Sequence, residues 1–337
     1  MGKGILNFVI VLIASVMSVT LVFSGFVFAY SKEKPMILKA AIDNPPTDIK
    51  ALTIKRMGDL IQERANGRIK FEYFYGGSLI KKPAFVDGVA KGIADISTGP
   101  VGFVTGKIPE LSPFEIFGAY NLSKYPEMTK AIWPTLIELL AKENVYPLMC
   151  QYTGNNIFCH RTKFLKTPAD WKGQKMRMAG RWQSKLAEIW GASPLFTVPG
   201  EIYLSVQKGI IDGFLLIYDI AYGLKLYEVA PYITDTVMSN TIEPVTMNLE
   251  RWKELSEEDR EIFKTAVKEV EPWNHKETLR IVEEIKKDIL SKGGKIYELN
   301  KEEKTLYMKD IKTLKPEVEK VSGEIGKKFL KILENYE

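Results

Sequence analysis

The chain has 337 residues, of which 45% are hydrophobic and 26% charged, with a formal net charge of +5. This length is enough for two compact units of ordinary size, and the absence of any low-complexity run excludes an intrinsically disordered protein. Basic and acidic residues alternate along the chain instead of forming a basic block, which argues against nucleic-acid binding.

The N-terminus is typical of an export signal. Lys3 precedes an apolar stretch over residues 5–28, and Ala29 offers a small residue for cleavage, so residues 1–29 are predicted to be a signal peptide. The apolar stretch is also long enough to remain as an uncleaved anchor of roughly 20 residues. Either outcome places the rest of the chain in the periplasm, where Cys150 and Cys159 form a disulfide or pack as small buried thiols.

After this segment the hydrophobic pattern predicts a β-α-β unit. The order is a strand at residues 36–42, a helix with an apolar stripe through 52–61, a strand at 69–75, a short helix at 85–91 and a strand at 93–97. Asn66 and Gly67 end the first helix, because both tolerate the left-handed conformation that follows a helix. The alternation at 69–75 is typical of a strand with one buried face.

A second unit with the same order lies later in the chain. It comprises a strand at residues 175–178, a helix at 182–190, a strand at 194–198, a helix at 202–208 and a strand at 210–216. Residues around Gly92 recur around Gly209 at a constant offset of 117, which indicates two related α/β lobes. A chance similarity is the alternative, because glycine is favoured after any helix end.

The C-terminal third is predicted to be mostly helical. Ser256 and Asp259 form a capping box, Gly293 and Gly294 end a helix, and residues 318–332 carry a final apolar stripe. Since these helices lack strands to cover them, we expect them to pack across both lobes and to set a hinge.

Catalytic and metal-binding patterns are absent from the sequence. His160 and His275 lie in no zinc-ligand pattern, and the two cysteines lack metal-ligand spacing. Neither a G-x-S-x-G nor a G-x-G-x-x-G motif occurs. The sequence therefore predicts a protein that is not an enzyme and that needs neither a cofactor nor a metal.

One region closely resembles a known family of transport proteins. Residues 165–213 contain LKTPADWKGQKMRMAG and WGASPLFTVPGEIYLSVQKGIIDG, which resemble the signature of the solute-binding proteins of TRAP (tripartite ATP-independent periplasmic) transporters. The resemblance extends over nearly the whole mature chain through GRIKFEYFYGGSL, VAKGIADISTGPVGF, LKLYEVAPYITDT and MNLERWKELSEEDREIF.

The resemblance implies a fold and partners. It implies an α/β protein with the two-lobed periplasmic binding protein fold, a ligand cleft between the lobes and long C-terminal bracing helices. Lobe I is expected over residues 30–153 with part of 242–282, and lobe II over 154–241 with part of 283–337. The implied partners are a small organic anion and the integral-membrane permease subunits, without nucleic acid, and we expect a monomer.

The resemblance also implies a ligand site. Arg177 lies at the position of the family's carboxylate-binding arginine. Asn156 stands where another family arginine is expected, and Leu216 stands where members with a ligand-binding asparagine carry it. Because two polar anchors are lost, the cleft is expected to suit an aromatic or apolar monocarboxylate. For Arg177 the alternative is a structural carboxylate from a neighbouring helix, since a strand covered on both faces cannot leave a guanidinium uncompensated.

Four further residues are candidates for the ligand site. Phe214 and Tyr218 lie at the end of the last strand of lobe II, where ligands of α/β sheets collect. Trp182 begins the helix after the Arg177 strand, and Asn44 follows the first strand of lobe I. Each has a structural alternative: the aromatic residues also fit the core or a helix surface, and Asn44 also fits a turn.

The predicted function is that of an extracytoplasmic solute receptor that delivers a small organic acid to a TRAP permease. An exported ligand-binding subunit of a sensory system is the alternative, because it would use the same pocket chemistry.

Overall fold

The computed structural model describes residues 30–239 and 241–336. The predicted signal peptide at residues 1–29 lies outside the described residues, and its cleavage stays a prediction. Within the described ranges no helix is both long enough and apolar enough to cross a membrane.

Strands and helices alternate along both halves of the chain. The strands are β1 (Met36–Ala41), β2 (Ile69–Phe74), β3 (Ile96–Thr98), β4 (Val145–Gln151), β5 (Asn155–His160), β6 (Lys175–Met178), β7 (Ser193–Phe196), β8 (Gly213–Ile217), β9 (Tyr232–Ser239), β10 (Glu243–Asn248) and β11 (Lys295–Glu298). The helices are α1 (Ile49–Arg64), α2 (Phe85–Ala90), α3 (Tyr125–Ala141), α4 (Arg181–Ile189), α5 (Ile202–Gln207), α6 (Tyr218–Gly223), α7 (Leu249–Glu254), α8 (Glu257–Ser291), α9 (Lys301–Thr313) and α10 (Lys315–Glu334).

The strands form two sheets, one for each lobe. Lobe I has a five-stranded sheet in the order β2-β1-β3-β10-β4, and lobe II has a six-stranded sheet in the order β11-β9-β5-β8-β6-β7. The strands of each β-α-β unit are parallel, whereas β10 and β5 run antiparallel to their neighbours. The predicted α/β class with two lobes is therefore confirmed.

Two short crossover segments join the lobes. One connects β4 of lobe I to β5 of lobe II, and the other connects β9 of lobe II back to β10 of lobe I. Since β4 pairs with β10 and β5 pairs with β9, the two crossovers leave each sheet from adjacent strands. This arrangement places a double connection at the boundary between the sheets.

The two repeats at an offset of 117 occupy equivalent places in the two lobes. Gly92 follows α2 with φ of 70°, and Gly209 follows α5 with φ of 69°. Asp95 accepts a hydrogen bond from the first lobe's β1 backbone at 2.7 Å, and Asp212 accepts one from the β6 backbone at 2.9 Å. The equivalence supports two related lobes over a chance similarity.

Both strands after these glycines begin later than predicted. β3 starts at Ile96 instead of residue 93, and β8 starts at Gly213 instead of residue 210. The N–H groups of Ile93 and Ile210 each donate back to a carbonyl of the preceding helix at 2.9 Å, as in a Schellman motif. These residues therefore belong to the end of the helix and not to the strand that the hydrophobic pattern predicts.

The C-terminal helices pack against both lobes. Helix α8 contacts α1 and β4 in lobe I and α6 and β11 in lobe II. Helix α10 is broken at Gly323, whose φ of 62° and ψ of −162° are not helical. Its Val318 packs in a lobe II core cluster, whereas the ring of Phe329 makes an edge-to-face contact with that of Phe114 in lobe I.

Cys150 and Cys159 are free, buried thiols. Cys150 lies on β4 and packs in a lobe I cluster, whereas Cys159 lies on β5 and packs in a lobe II cluster. Of the two alternatives for these residues, the structure has the packed thiols.

Candidate ligand-binding site

A cavity of about 1170 Å³ lies between the two sheets. Small-molecule sites commonly measure ~300 to ~1,000 Å³, so this cavity accepts a ligand with a sizeable body. Much of its wall is apolar, and the apolar lining residues include Phe103, Phe196, Leu215, Leu216, Ile217, Ile220 and Ile281. Leu216 therefore lies on the wall.

Arg177 is a buried cation on this wall. It lies on β6 between Met176 and Met178, which pack in the lobe II core while the arginine faces the cavity. Its side chain is only 1% exposed. Nε donates to the backbone oxygen of Thr197 at 2.9 Å, and Nη1 donates to that of Leu215 at 3.2 Å.

The arginine has no acidic partner within the described ranges. Burial lowers the pKa of Arg177 to about 10, and no neighbouring charge contributes to this shift. The structural carboxylate that was the alternative partner is therefore absent from the described neighbourhood. A guanidinium carries more N–H donors than the two backbone carbonyls use, so its planar fork is available for a carboxylate.

The lobe I wall contributes a buried ion pair that crosses the cavity. Asp48 caps α1 by accepting a hydrogen bond from the N–H of Lys50 at 2.8 Å. The Lys50 ammonium then reaches across to Asp219 on α6 of lobe II. Burial depresses the pKa of Lys50, but the Asp219 and Asp48 carboxylates outweigh it and hold the pKa above its ordinary value. This cross-lobe ion pair joins the lobes at the cavity.

Three cavity-lining side chains have a buried oxygen without a hydrogen-bond partner: Asn44 Oδ1, Asn156 Oδ1 and Glu243 Oε1. The Asn44 amide is oriented by donation to Asp48 Oδ2 at 2.8 Å. The Asn156 amide is oriented by donation to the backbone oxygen of Ser239 at 3.0 Å. Each NH₂ group thus donates one hydrogen bond within the protein, and each Oδ1 remains as an acceptor.

Glu115 lies on the wall where the two lobes meet. Its carboxylate accepts a hydrogen bond from Thr105 Oγ1 at 2.7 Å and one from the backbone N–H of Trp182 at 2.7 Å. Burial raises the pKa of Glu115, and these hydrogen bonds oppose the rise. A Cβ at position 180 would lie 2.3 Å from Glu115 Oε1, so a residue larger than Gly180 would displace this carboxylate.

The structure brings three of the six predicted site residues to the cavity: Arg177, Asn156 and Asn44. The other three correct the prediction, because they do not line it. Trp182 and Phe214 are buried in core clusters of lobe II, and the Tyr218 hydroxyl donates to Asp235 at 3.0 Å within the second of these clusters. On β8 the wall is formed by Leu215 and its successors instead.

Sequence reasoning missed Lys50, Glu115 and Glu243. Lys50 lies in the first turn of an amphipathic helix, where a lysine normally faces solvent. Glu243 begins β10, a strand that the hydrophobic pattern did not identify. No local pattern marks these positions, because their burial depends on the opposite lobe.

His160 has a structural role. Its Nδ1 accepts hydrogen bonds from the backbone N–H groups of Thr162 and Lys163, so Nε2 carries the proton and donates to Gln174 at 2.9 Å. In the part of the chain that the structure describes, no three His, Cys, Asp or Glu side chains group so as to hold a metal ion.

Comparison with known sequences relates the chain to bacterial receptors. The model of bacterial extracellular solute-binding protein, family 7 (DctP) matches residues 40–320. The C4-dicarboxylate-binding protein DctB of Bacillus subtilis is 27% identical over 288 residues, covering 81% of this chain and 79% of that protein. A monocarboxylate 2-oxoacid-binding periplasmic protein of a Nostoc species is 27% identical over 215 residues, covering 62% and 59%.

Solved structures share the fold. A TRAP periplasmic solute binding protein from Desulfovibrio salexigens, with bound orotic acid, has a TM-score of 0.82 at 21% identity, covering 89% of this chain and 98% of that chain. The periplasmic ectoine-binding protein of Halomonas elongata has a TM-score of 0.81 at 20% identity, covering 89% and 98%.

Proposed function

The chain belongs to the bacterial extracellular solute-binding proteins of family 7, the solute receptors of TRAP transporters, and we propose that it captures an organic monocarboxylate. The family comprises substrate-binding transport receptors. Within that family the ligand has to be argued from the cavity of each chain, because the relatives' names include both dicarboxylates and monocarboxylates.

The observation that carries the proposal is the uncompensated guanidinium of Arg177. A buried charge without a partner is costly, and two backbone carbonyls relieve only part of that cost. A ligand carboxylate would supply the missing anion and two parallel charge-assisted hydrogen bonds.

The rest of the wall favours one carboxylate over two. Leu216 and its apolar neighbours replace polar anchors on lobe II, and the buried carboxylates of Glu115 and Glu243 also line the cavity. Apart from Lys81 and Lys82 on lobe I, a second ligand carboxylate would lie against apolar or like-charged groups. An aromatic or branched body would instead bury apolar surface, at about 25 cal/mol per Å².

We also propose that the loaded receptor delivers its ligand to an integral-membrane permease from the periplasm. The family and the predicted export signal at residues 1–29 support this location. The two crossovers and the cross-lobe ion pair suit a monomer that closes around its ligand.

A thermal-shift screen tests the proposal. The mature protein is heated with a panel of aromatic and branched monocarboxylates, each paired with its neutral amide, and with dicarboxylates of similar size. Because a ligand that binds only the native state stabilises it, we expect the acids to raise the melting temperature and the amides to leave it unchanged. Equal stabilisation by acid and amide would contradict the role of Arg177.

A further inference from the structure

The charged residues of the cavity wall are mostly acidic, which is unexpected for an anion receptor. Seven acidic and three basic residues line it: Asp43, Asp48, Glu115, Asp219, Glu243, Glu284 and Asp288 against Lys81, Lys82 and Arg177. Much of this acidic excess is neutralised by partners within the protein. What bears on the ligand is therefore any carboxylate of the wall that is left without a partner.

All but one of these carboxylates already have a protein partner. The pairings are Asp48 and Asp219 with Lys50, Glu284 with Arg280, Asp288 with Lys292, Asp43 with the N–H of Lys82, and Glu115 with the N–H of Trp182. The exception among the described residues is Glu243.

Glu243 is a buried carboxylate that faces the cavity. As the first residue of β10 it pairs with Gln151 of β4 through its backbone, and the whole residue is 3% exposed. Its Oε1 has no hydrogen-bond partner. Burial raises the pKa of Glu243, while the Lys82 and Lys50 ammonium groups oppose the rise from a distance without forming an ion pair with it. An unpartnered buried carboxylate is costly unless a ligand supplies a donor.

Two neutral acceptors also line the cavity, one on each lobe. Asn44 Oδ1 belongs to lobe I and Asn156 Oδ1 to lobe II, and both are buried without a donor. An ammonium group carries several N–H donors and no acceptor, so a wall with surplus acceptors matches it.

We propose that the ligand is a zwitterion, with a carboxylate that binds Arg177 and a protonated amine that Glu243 accepts. The proposal rests on the proposed receptor function, and it narrows the ligand class from organic acids to amino-bearing acids with an apolar body. Closure of the cavity would then bring a cation on lobe II and a carboxylate on lobe I against the two charged groups of one molecule.

Calorimetric titration with matched compounds tests this proposal. Three skeletons are used: 3-phenylpropanoate with phenyllactate and phenylalanine, 4-methylpentanoate with its 2-hydroxy analogue and leucine, and hexanoate with 6-hydroxyhexanoate and 6-aminohexanoate. For at least one skeleton we expect the amino acid to bind about tenfold or more tightly than the unsubstituted acid, which corresponds to ~1.4 kcal/mol. In Glu243→Gln that preference should fall to within about twofold, because the neutral amide keeps the shape and loses the charge.

Glu250→Gln is the matched control, because this carboxylate is paired with Lys253 and lies outside the cavity wall, with its side chain 63% exposed. It should leave the preference unchanged. If the unsubstituted acids bind and no amino acid binds more tightly than its unsubstituted acid, the zwitterion proposal is overturned and the receptor proposal stands. Hydroxy acids that gain as much affinity as the amino acids would likewise overturn the zwitterion proposal alone. Binding of no compound in any skeleton would overturn both proposals.

Discussion

Replacement of Arg177 by lysine isolates what the planar guanidinium contributes. The substitution keeps the positive charge on β6 and removes the fork that two parallel hydrogen bonds to a carboxylate require. Lysine also cannot hold both carbonyl contacts, to Thr197 and Leu215, in the arginine geometry.

Because lysine keeps the charge, the expected effect is the loss of one of the two parallel hydrogen bonds. A hydrogen bond to a charged group contributes about 1.5 to 3 kcal/mol, which at ~1.4 kcal/mol per decade weakens binding by about 10-fold to about 140-fold. Losing the contacts of Arg177 to the two carbonyls costs the fold about 1 to 3 kcal/mol, which is below the ~5 to ~15 kcal/mol of a typical native protein. The mutant should therefore fold and bind the ligand more weakly.

Calorimetric titration with the strongest acid from the thermal-shift screen measures the affinity, and circular dichroism checks the fold. Arg181→Lys is the matched control, because Arg181 begins α4, is exposed and lies outside the cavity wall. It should bind as the parent does. Near-native affinity in a folded Arg177→Lys protein would refute the assignment of the carboxylate to this residue.

Three further outcomes follow from the described contacts. Asp219→Asn removes one of the carboxylates that pair with the buried Lys50 ammonium and so weakens the contact between the lobes. We therefore expect a larger radius of gyration in small-angle scattering and about tenfold weaker ligand binding. No change in either quantity would contradict a role of this ion pair in closure. Cys150 and Cys159 should resist thiol reagents in the native protein and both react after unfolding without reductant, because burial raises the pKa of each thiol, whereas a disulfide would leave neither reactive. Burial lowers the pKa of His160 below 6.5, so its contribution to stability is complete above that pH and is lost as the pH falls through the folded pKa. The free energy of unfolding, measured by denaturation across pH 5 to 7, should therefore decrease toward low pH, and His160→Gln should reduce this slope. An unchanged slope in the mutant would argue against it.

Local pattern was sufficient to predict the repeated β-α-β units. The strands at 36–42 and 175–178 and the helix that follows each of them were predicted from periodicity and from the glycines after helix ends. The antiparallel strands β4 and β10 were missed, because both are buried along most of their length and each contains a proline. Such strands lack the alternation of buried and exposed residues that identifies a strand in sequence.

The lining of the cavity was predicted in part, for related reasons. Arg177 lies on the cavity wall, as the resemblance implied, and its role in binding stays a prediction. Phe214 lies near the start of β8 and packs in a lobe II core cluster, whereas the later residues Leu215, Leu216 and Ile217 line the cavity. The sequence does not show how far along a strand the cavity begins. Lys50 and Glu243 depend on contacts between segments far apart in the chain, which no local pattern records.

A crystal structure of the mature protein with its tightest-binding acid is the most direct test of the carboxylate receptor. We predict that the ligand occupies the cavity between the two sheets, with its carboxylate oxygens about 2.7 to 2.9 Å from the Arg177 guanidinium nitrogens and its apolar body against Leu215 and Leu216. A ligand whose carboxylate lies elsewhere, with Arg177 still bonded only to the two backbone carbonyls, would contradict it.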